Sequence, residues 1–335
     1  MSNSIAVIGA GGWGIALTKV LADKGKQIAL WCHGAENYRD LCANRESRAY
    51  LPGIILSSKV ELTQSLAEAV ADRQLIVCAV PSHAARAVMA GTVPHVSSQA
   101  NILSGTKGME EESLKSMGEV LTEVFGADRR PHFAFLSGPT FASEVARGLP
   151  AAITVAAEVE TVAMDAQETL STQNLRVYTS KDVVGVQMGG VIKNIIAIAA
   201  GISDGLGLGY NARAALITRG LAEMTRLAVR MGADPMTLAG LPGLGDLILT
   251  CTGDLSRNRK VGIEIAQGMS IEEITKRTKT IAEGIRNTRS VFSFAQQVGI
   301  EMPIVEQMYQ VLYGQKKPYE AVRDLMQRSL KPEIV

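Results

Sequence analysis

The chain has 335 residues, of which 47% are hydrophobic and 20% charged, with a net charge of +1. That length holds two domains and a sizeable core, and the balance is that of a globular rather than a disordered protein. No basic excess marks nucleic acid or a membrane surface, and six Phe with two Trp make no base-stacking platform, so the expected partner is a small molecule.

The punctuating residues exclude further classes. Cys32, Cys42, Cys78 and Cys251 form no C-x-x-C pair, which predicts core thiols in a reducing compartment rather than disulfides. His33, His83, His95 and His132 are scattered without ligand spacing, so no metal is expected. The first strand begins within about five residues, leaving no room for the charged and apolar regions of a signal peptide. The apolar run around Lys193 reads as too short and interrupted for the ~20 residues of a spanning helix. A cytoplasmic protein without stable membrane insertion is the expectation.

In chain order, residues 5–8 are a β-branched strand, followed by glycines and an apolar-periodic helix over 15–24. Further strands are predicted at 27–31, 74–80, 101–104, 133–136, 152–155 and 175–178, mostly separated by helical stretches. Alternation of this kind with continuously apolar strands predicts a parallel sheet covered on both faces. Beyond Lys181 strand-like runs disappear. Helices are predicted at 182–202, 210–231, 235–241, 257–267, 271–277, 284–298, 303–312 and 317–327. The fold expected is an N-terminal Rossmann-type doubly wound α/β sheet over 1–181, followed by an all-helical C-terminal domain over 182–335. A ligand cleft should lie between them, near the carboxyl ends of the strands.

Four segments carry chemistry toward that cleft. Gly9-Ala10-Gly11-Gly12-Trp13-Gly14 follows the first strand and opens the first helix, matching G-x-G-x-x-G in the context that gives the pattern meaning. Gly9 permits the tight turn, Gly11 the approach of backbone to a pyrophosphate, and Gly14 close helix–strand packing, with the helix N-terminus facing the phosphates. The second strand ends in Cys32-His33-Gly34 rather than in an acid that would repel a 2′-phosphate. His33 is either beside that phosphate or an exposed loop residue, and NADP and NAD both remain open. Lys107 sits between glycines beyond a strand, and Ser137-Gly138-Pro139-Thr140-Phe141-Ala142 leaves another strand as a helix start. Asp246 opens an apolar segment, and Ser256-Arg257-Asn258-Arg259-Lys260 follows it. Taken singly, each has a bland alternative: a loop lysine, an N-cap, a solvated helix start. An arginine fork with neighbouring N–H groups also suits a phosphate.

Lys193-Asn194 lies in the most apolar stretch of all, residues 189–200. A buried ammonium without a partner tends to lose its proton, whereas a snorkelling one reaches water along its stem.

The combination resembles the NAD(P)-dependent sn-glycerol-3-phosphate dehydrogenase family of the bacterial type over nearly the whole chain. Matching stretches are Gly9 to Gly14, Tyr50-Leu51-Pro52-Gly53, Val80-Pro81-Ser82, Thr106-Lys107-Gly108, Ser137-Gly138-Pro139, Lys193-Asn194, Ser203-Asp204-Gly205, residues 214–220, Gly245-Asp246-Leu247, Thr250-Cys251 and Ser256-Arg257-Asn258. The resemblance implies hydride transfer between NAD(P)H and dihydroxyacetone phosphate, giving sn-glycerol 3-phosphate for glycerophospholipid synthesis, in a homodimer. It implies Lys193 as proton acceptor, with Lys107 and Asp246 beside it and Asn194 orienting base or substrate. Gly138, Thr140, Ser256, Arg257 and Asn258 would hold the substrate. Trp13, His33, Lys107 and Ala142 would line the cofactor, with Arg257, Ile281 and Glu283 closing over it.

Departures from the family pattern are Gly12 and Thr140 where Ser is usual, and Ile281-Ala282-Glu283-Gly284 where Val-Val-Glu-Gly is usual. Two alternatives compete. A β-hydroxyacid or 6-phosphogluconate-type dehydrogenase shares the domains and the lysine–asparagine pair but needs a carboxylate-binding motif that is not visible. A noncatalytic NADP sensor would have no use for Lys107, Lys193 and Asp246 together.

Overall fold

The computed structural model describes residues 2–277 and 282–333. The N-terminal part is an α/β layer structure. Its strands are β1 (Ser4–Ile8), β2 (Gln27–Trp31), β3 (Glu61–Thr63), β4 (Leu75–Cys78), β5 (Asn101–Ser104), β6 (Phe133–Ser137), β7 (Ala151–Ala157) and β8 (Leu175–Ser180). The helices between them are α1 (Gly12–Asp23), α2 (Ala35–Asn44), α3 (Leu66–Val70), α4 (Ser82–Ala90), α5 (Met117–Phe125), α6 (Ala142–Ala146) and α7 (Glu160–Leu170). Strand order is β3-β2-β1-β4-β5-β6-β7-β8. β1, β4 and β6 are buried over nearly every residue, as strands covered on both faces must be.

The sheet is not wholly parallel, which corrects the sequence expectation. β7 runs antiparallel to β6, with Ser137 opposite Thr154, and β8 runs parallel to β7. Apolar content gives no strand direction. Only the five-residue α6 separates β6 from β7, and it packs on α1 rather than forming a crossover on the sheet. The short edge strand β3 was also missed, because three residues carry no period.

From Val183 onward the chain is helical: α8 (Val183–Gly205), α9 (Gly209–Arg230), α10 (Pro235–Ala239), α11 (Asp246–Thr252), α12 (Arg257–Ala266), α13 (Ile271–Arg277), α14 (Glu283–Val298), α15 (Pro303–Tyr313) and α16 (Pro318–Met326). A π-helical turn over Leu241–Gly245 leads into α11. α8 is the hub, packed against α9, α11, α12 and α14 and against β6. By length and hydropathy alone α8 is long enough to cross a membrane, contrary to the sequence reading; 83% of its most apolar window is buried inside the protein. Its glycines admit the neighbours closely. A Cβ on Gly189 would lie 2.2 Å from the Pro242 carbonyl oxygen, and one on Gly201 2.0 Å from that of Arg259.

Because β7 and β8 run opposite to the other strands, β8 ends at the far edge of the sheet and α8 travels back alongside β6. Lys193 is the eleventh residue of α8, about 15 Å along its axis at 1.5 Å per residue. That nearly matches the height of a five-residue strand, about 17 Å, so the lysine emerges beside the carboxyl end of β6.

Candidate active site

The glycine loop takes the shape its residues allow. Gly9 adopts φ +117°, and a Cβ on Gly14 would fall 1.8 Å from the Gly9 carbonyl oxygen, so that contact between β1 and α1 excludes any side chain. A Cβ on Gly11 meets nothing within 4 Å, so Gly11 faces open space. α1 begins with no side-chain cap and no acidic residue in its first turn. The N-terminal N–H groups and partial positive charge of α1 therefore face the open cradle. Trp13 leans over Gly105, and its indole Nε1 is buried without a partner. Ala142 closes the other wall, with its Cβ 3.9 Å from where a Cβ on Gly12 would stand. A backbone cradle open at Gly11 and leading into an uncapped helix start fits a dinucleotide pyrophosphate. His33, at the far end of β2, is exposed beside Trp31 with ring centroids 5.6 Å apart.

At the carboxyl end of the sheet the two lysines meet one carboxylate. Lys193 does not snorkel: it is buried and donates from Nζ to Asp246 Oδ1 at 2.5 Å and to Thr250 Oγ1 at 3.1 Å. Lys107 Nζ donates to Asp246 Oδ2 at 2.7 Å and to the Gly138 carbonyl at 3.2 Å. Asp246 is fully buried as the first residue of α11. Burial pushes the Lys193 ammonium down to about 8; Asp246 pulls it up, and Lys107 pushes it down again. Burial disfavours the Asp246 carboxylate, yet Lys107 and Lys193 together hold its carboxyl below the ordinary range. A single anion thus neutralises one of two adjacent cations and leaves Lys193 able to change protonation near neutral pH.

Around this centre, Gly138 (φ +147°) leaves no room beyond the β7 backbone, since a Cβ there would sit 2.9 Å from Ile153 Cα. Thr140 Oγ1 donates to the Gly138 carbonyl at 3.3 Å. Asn194 accepts at Oδ1 from Asn258 Nδ2 (2.9 Å), and Asn258 Oδ1 accepts from the Gly284 N–H (3.0 Å). The Ser256 hydroxyl caps α12 by accepting from the Arg259 N–H at 3.2 Å. The side chains of Ser256 and Asn258 are thus engaged within the protein, while Arg257, the first residue of α12, is exposed. Glu283 opens α14 half-buried. Burial pushes it up to about 7, against the pull of Arg257, Lys193 and Lys107.

The structure therefore links Lys107, Gly138, Thr140, Lys193, Asn194, Asp246, Asn258 and Glu283 through one network of hydrogen bonds and charges and leaves His33 beyond the end of β2. Ile281 lies outside the described residues. Thr250 and Ser137 stand in segments the sequence singles out but were assigned no role. Thr250 stands one turn beyond Asp246, a spacing that would have placed it on the same face. The Ser137 hydroxyl is buried without a partner, 3.2 Å from where a Cβ on Gly190 would stand.

Two family profiles match the sequence: the N-terminal region of NAD-dependent glycerol-3-phosphate dehydrogenase over residues 4–163 and its C-terminal region over 182–323. The chain belongs to the NAD-dependent glycerol-3-phosphate dehydrogenase family. It is 51% identical over 335 residues, covering both chains completely, to a glycerol-3-phosphate dehydrogenase (NAD(P)+) of Citrifermentans bemidjiense. A protein of the same name from Syntrophotalea carbinolica is 48% identical over 331 residues, 99% of each chain. The crystal structure of glycerol-3-phosphate dehydrogenase from Coxiella burnetii superposes with a TM-score of 0.93 at 39% identity, covering 97% of this chain and 98% of that one. Against glycerol-3-phosphate dehydrogenase relatives of this extent, the hydroxyacid-type and noncatalytic alternatives are not favoured.

Proposed function

We propose that this protein is an NAD(P)-dependent glycerol-3-phosphate dehydrogenase that interconverts dihydroxyacetone phosphate and sn-glycerol 3-phosphate, with Lys193 as its acid and base. The observation that carries the reading is Asp246 shared between Lys193 and Lys107 at the carboxyl end of the sheet. When bound, the nicotinamide supplies or takes the hydride at the central carbon. The protein manages the proton. In reduction the Lys193 ammonium donates from Nζ to the substrate oxygen; in oxidation neutral Lys193 removes the hydroxyl proton. A group titrating near 8 serves both directions. Lys107 adds positive charge beside the same oxygen. Asn194, held by Asn258, orients base or substrate.

Arg257 and the N-terminus of α12 bind the substrate phosphate, with Gly138, Thr140, Ser256 and Asn258 shaping that end. Gly9, Gly11, Gly12 and Gly14 hold the pyrophosphate, and Trp13, Lys107, Ala142, Arg257 and Glu283 enclose the rest of the cofactor. His33, exposed beyond the end of β2 where no acid stands, supports an NADP preference; equal kcat/KM with NAD and NADP would remove that preference. The dinucleotide domain spans 1–181 and the substrate domain 182–335. Family resemblance supports a cytoplasmic homodimer feeding glycerophospholipid synthesis, and sedimentation measures the oligomer directly.

The deciding assay follows NADPH and NADH oxidation with dihydroxyacetone phosphate, using 3-hydroxy and 2-keto carboxylates as controls. Turnover confined to the phosphorylated ketone is expected. Turnover with the carboxylates alone would overturn the assignment.

A further inference from the structure

Asn37 lies on α2, four residues beyond His33, and neither the glycine motif nor the substrate residues include it. Its Nδ2 donates to the Ala10 carbonyl at 3.0 Å, in the middle of the glycine loop. Its Oδ1 accepts from the Ser47 hydroxyl at 2.5 Å, and Ser47 is fully buried. That second bond fixes the amide. With Oδ1 turned to a hydroxyl donor, Nδ2 is the atom left to face Ala10. Ser47 is anchored in turn, because its carbonyl accepts from the Leu51 N–H at 2.9 Å. The same segment lays the Tyr50 carbonyl oxygen 3.1 Å from where a Cβ on Gly12 would stand.

The peptide joining Ala10 to Gly11 is planar and trans, so its carbonyl and its N–H point in opposite directions. Drawing the Ala10 oxygen toward α2 therefore aims the Gly11 N–H the other way. We infer that Asn37, locked by Ser47, is a positioning residue for the cofactor: it orients the Ala10–Gly11 peptide so that the Gly11 N–H points at the pyrophosphate. This rests on the dinucleotide reading of the cradle. It also gives the segment between β2 and β3 a second task, since that segment supports the phosphate loop from behind as well as flanking the 2′ end.

The test is equilibrium binding, read from Trp13 fluorescence and by calorimetry. The variants are Asn37→Leu, which keeps the bulk but not the donor, and Ser47→Ala, which keeps the donor but frees the amide to turn. The probes are NADPH and adenosine 2′-monophosphate, which keeps the 2′-phosphate but carries no phosphate at its 5′ end. Asn37→Leu is expected to weaken NADPH about tenfold, the loss of one well-aimed hydrogen bond to a charged group. Ser47→Ala should weaken it about threefold. Both should bind the 2′-monophosphate within twofold of wild type and keep kcat at saturating NADPH. Wild-type NADPH affinity in both variants, even with a lowered Tm, would show that Asn37 is merely structural and overturn the inference. Equal weakening of both probes would overturn it too, by placing the defect at the adenosine end. A wild-type protein that binds no NADPH or NADH at all would instead remove the dinucleotide reading, and this inference with it.

Discussion

Replacing Asp246 by Asn tests the electrostatic core of the mechanism. The carboxylate offers one oxygen to Lys193 at 2.5 Å and the other to Lys107 at 2.7 Å. A carboxamide keeps one acceptor and turns an N–H₂ donor toward the second ammonium. Removing one member of a buried ion pair costs about 3–5 kcal/mol, and at 1.36 kcal/mol per pK unit that is roughly two to four units. Lys193 escapes most of this penalty by releasing its proton, so its pKa should fall from about 8 to roughly 5–6, where buried unpaired lysines lie. Reduction needs the protonated form, which is lost as pH rises through that pKa. At pH 7.5 roughly three quarters of wild-type Lys193 is an ammonium, against roughly 1% in Asp246→Asn, so reduction should fall about 10²-fold from protonation alone. The assay is kcat for dihydroxyacetone phosphate reduction between pH 5 and 9. The descending limb should move from about 8 to below 6.5. If the variant kept its limb at 8, Asp246 would not set the protonation of the catalytic group, and the mechanism would need another acid.

Further outcomes follow from other residues. Lys193→Met should bind NADPH within about twofold of wild type while kcat falls by about 10²–10⁴-fold; retained turnover would reject the lysine as acid and base. Arg257→Ala should raise KM for dihydroxyacetone phosphate far more than Kd for NADPH, and the reverse pattern would reject Arg257 as the substrate-phosphate ligand and leave it only its place beside the cofactor. Away from the site, buried Glu223 accepts the Ile304 and Val305 N–H groups at the start of α15, and burial pushes its carboxyl up to about 7. A raised folded-state pKa gives stability that is full below the ordinary carboxylate range and lost as pH rises through 7. Urea midpoints of wild type should therefore decline between pH 5 and 7.5, and Glu223→Gln should flatten that component; identical slopes would reject it.

Much of the site was legible because its chemistry is local in sequence. The glycines announce the loop by spacing, and Lys193 stands out by being charged where every neighbour is apolar. Most helices beyond Lys181 follow their periodicity, although the seven-residue α11 and the π-helical turn before it were not predicted, and α8 runs only three residues past its expected end at 202. What sequence did not give is set by tertiary contact. The reversal of β7 depends on how α6 packs, and the sharing of Asp246 by two lysines joins residues 139 positions apart. Ser256 and Asn258 were expected to face the substrate from their motif, yet their side chains meet α12 and α14 first. Motif spacing names the residues that gather but not which atom of each is free.

α8 also bears on how the chain is made. This largely apolar helix of 23 residues is covered by α9, α11, α12 and α14, all of which lie later in the sequence. At about 5–20 residues per second of synthesis, the segment waits roughly 5–20 s for α14 to be completed, resembling a membrane anchor throughout. Lys193 sits near its midpoint, where a lysine adds about 2.5–3.5 kcal/mol to the free energy of insertion into a bilayer. The ammonium to which we assign the acid–base role is thus also the charge that discourages the nascent helix from entering lipid. Lys193→Met would remove both protections at once, one against a stalled reaction and one against a misrouted chain.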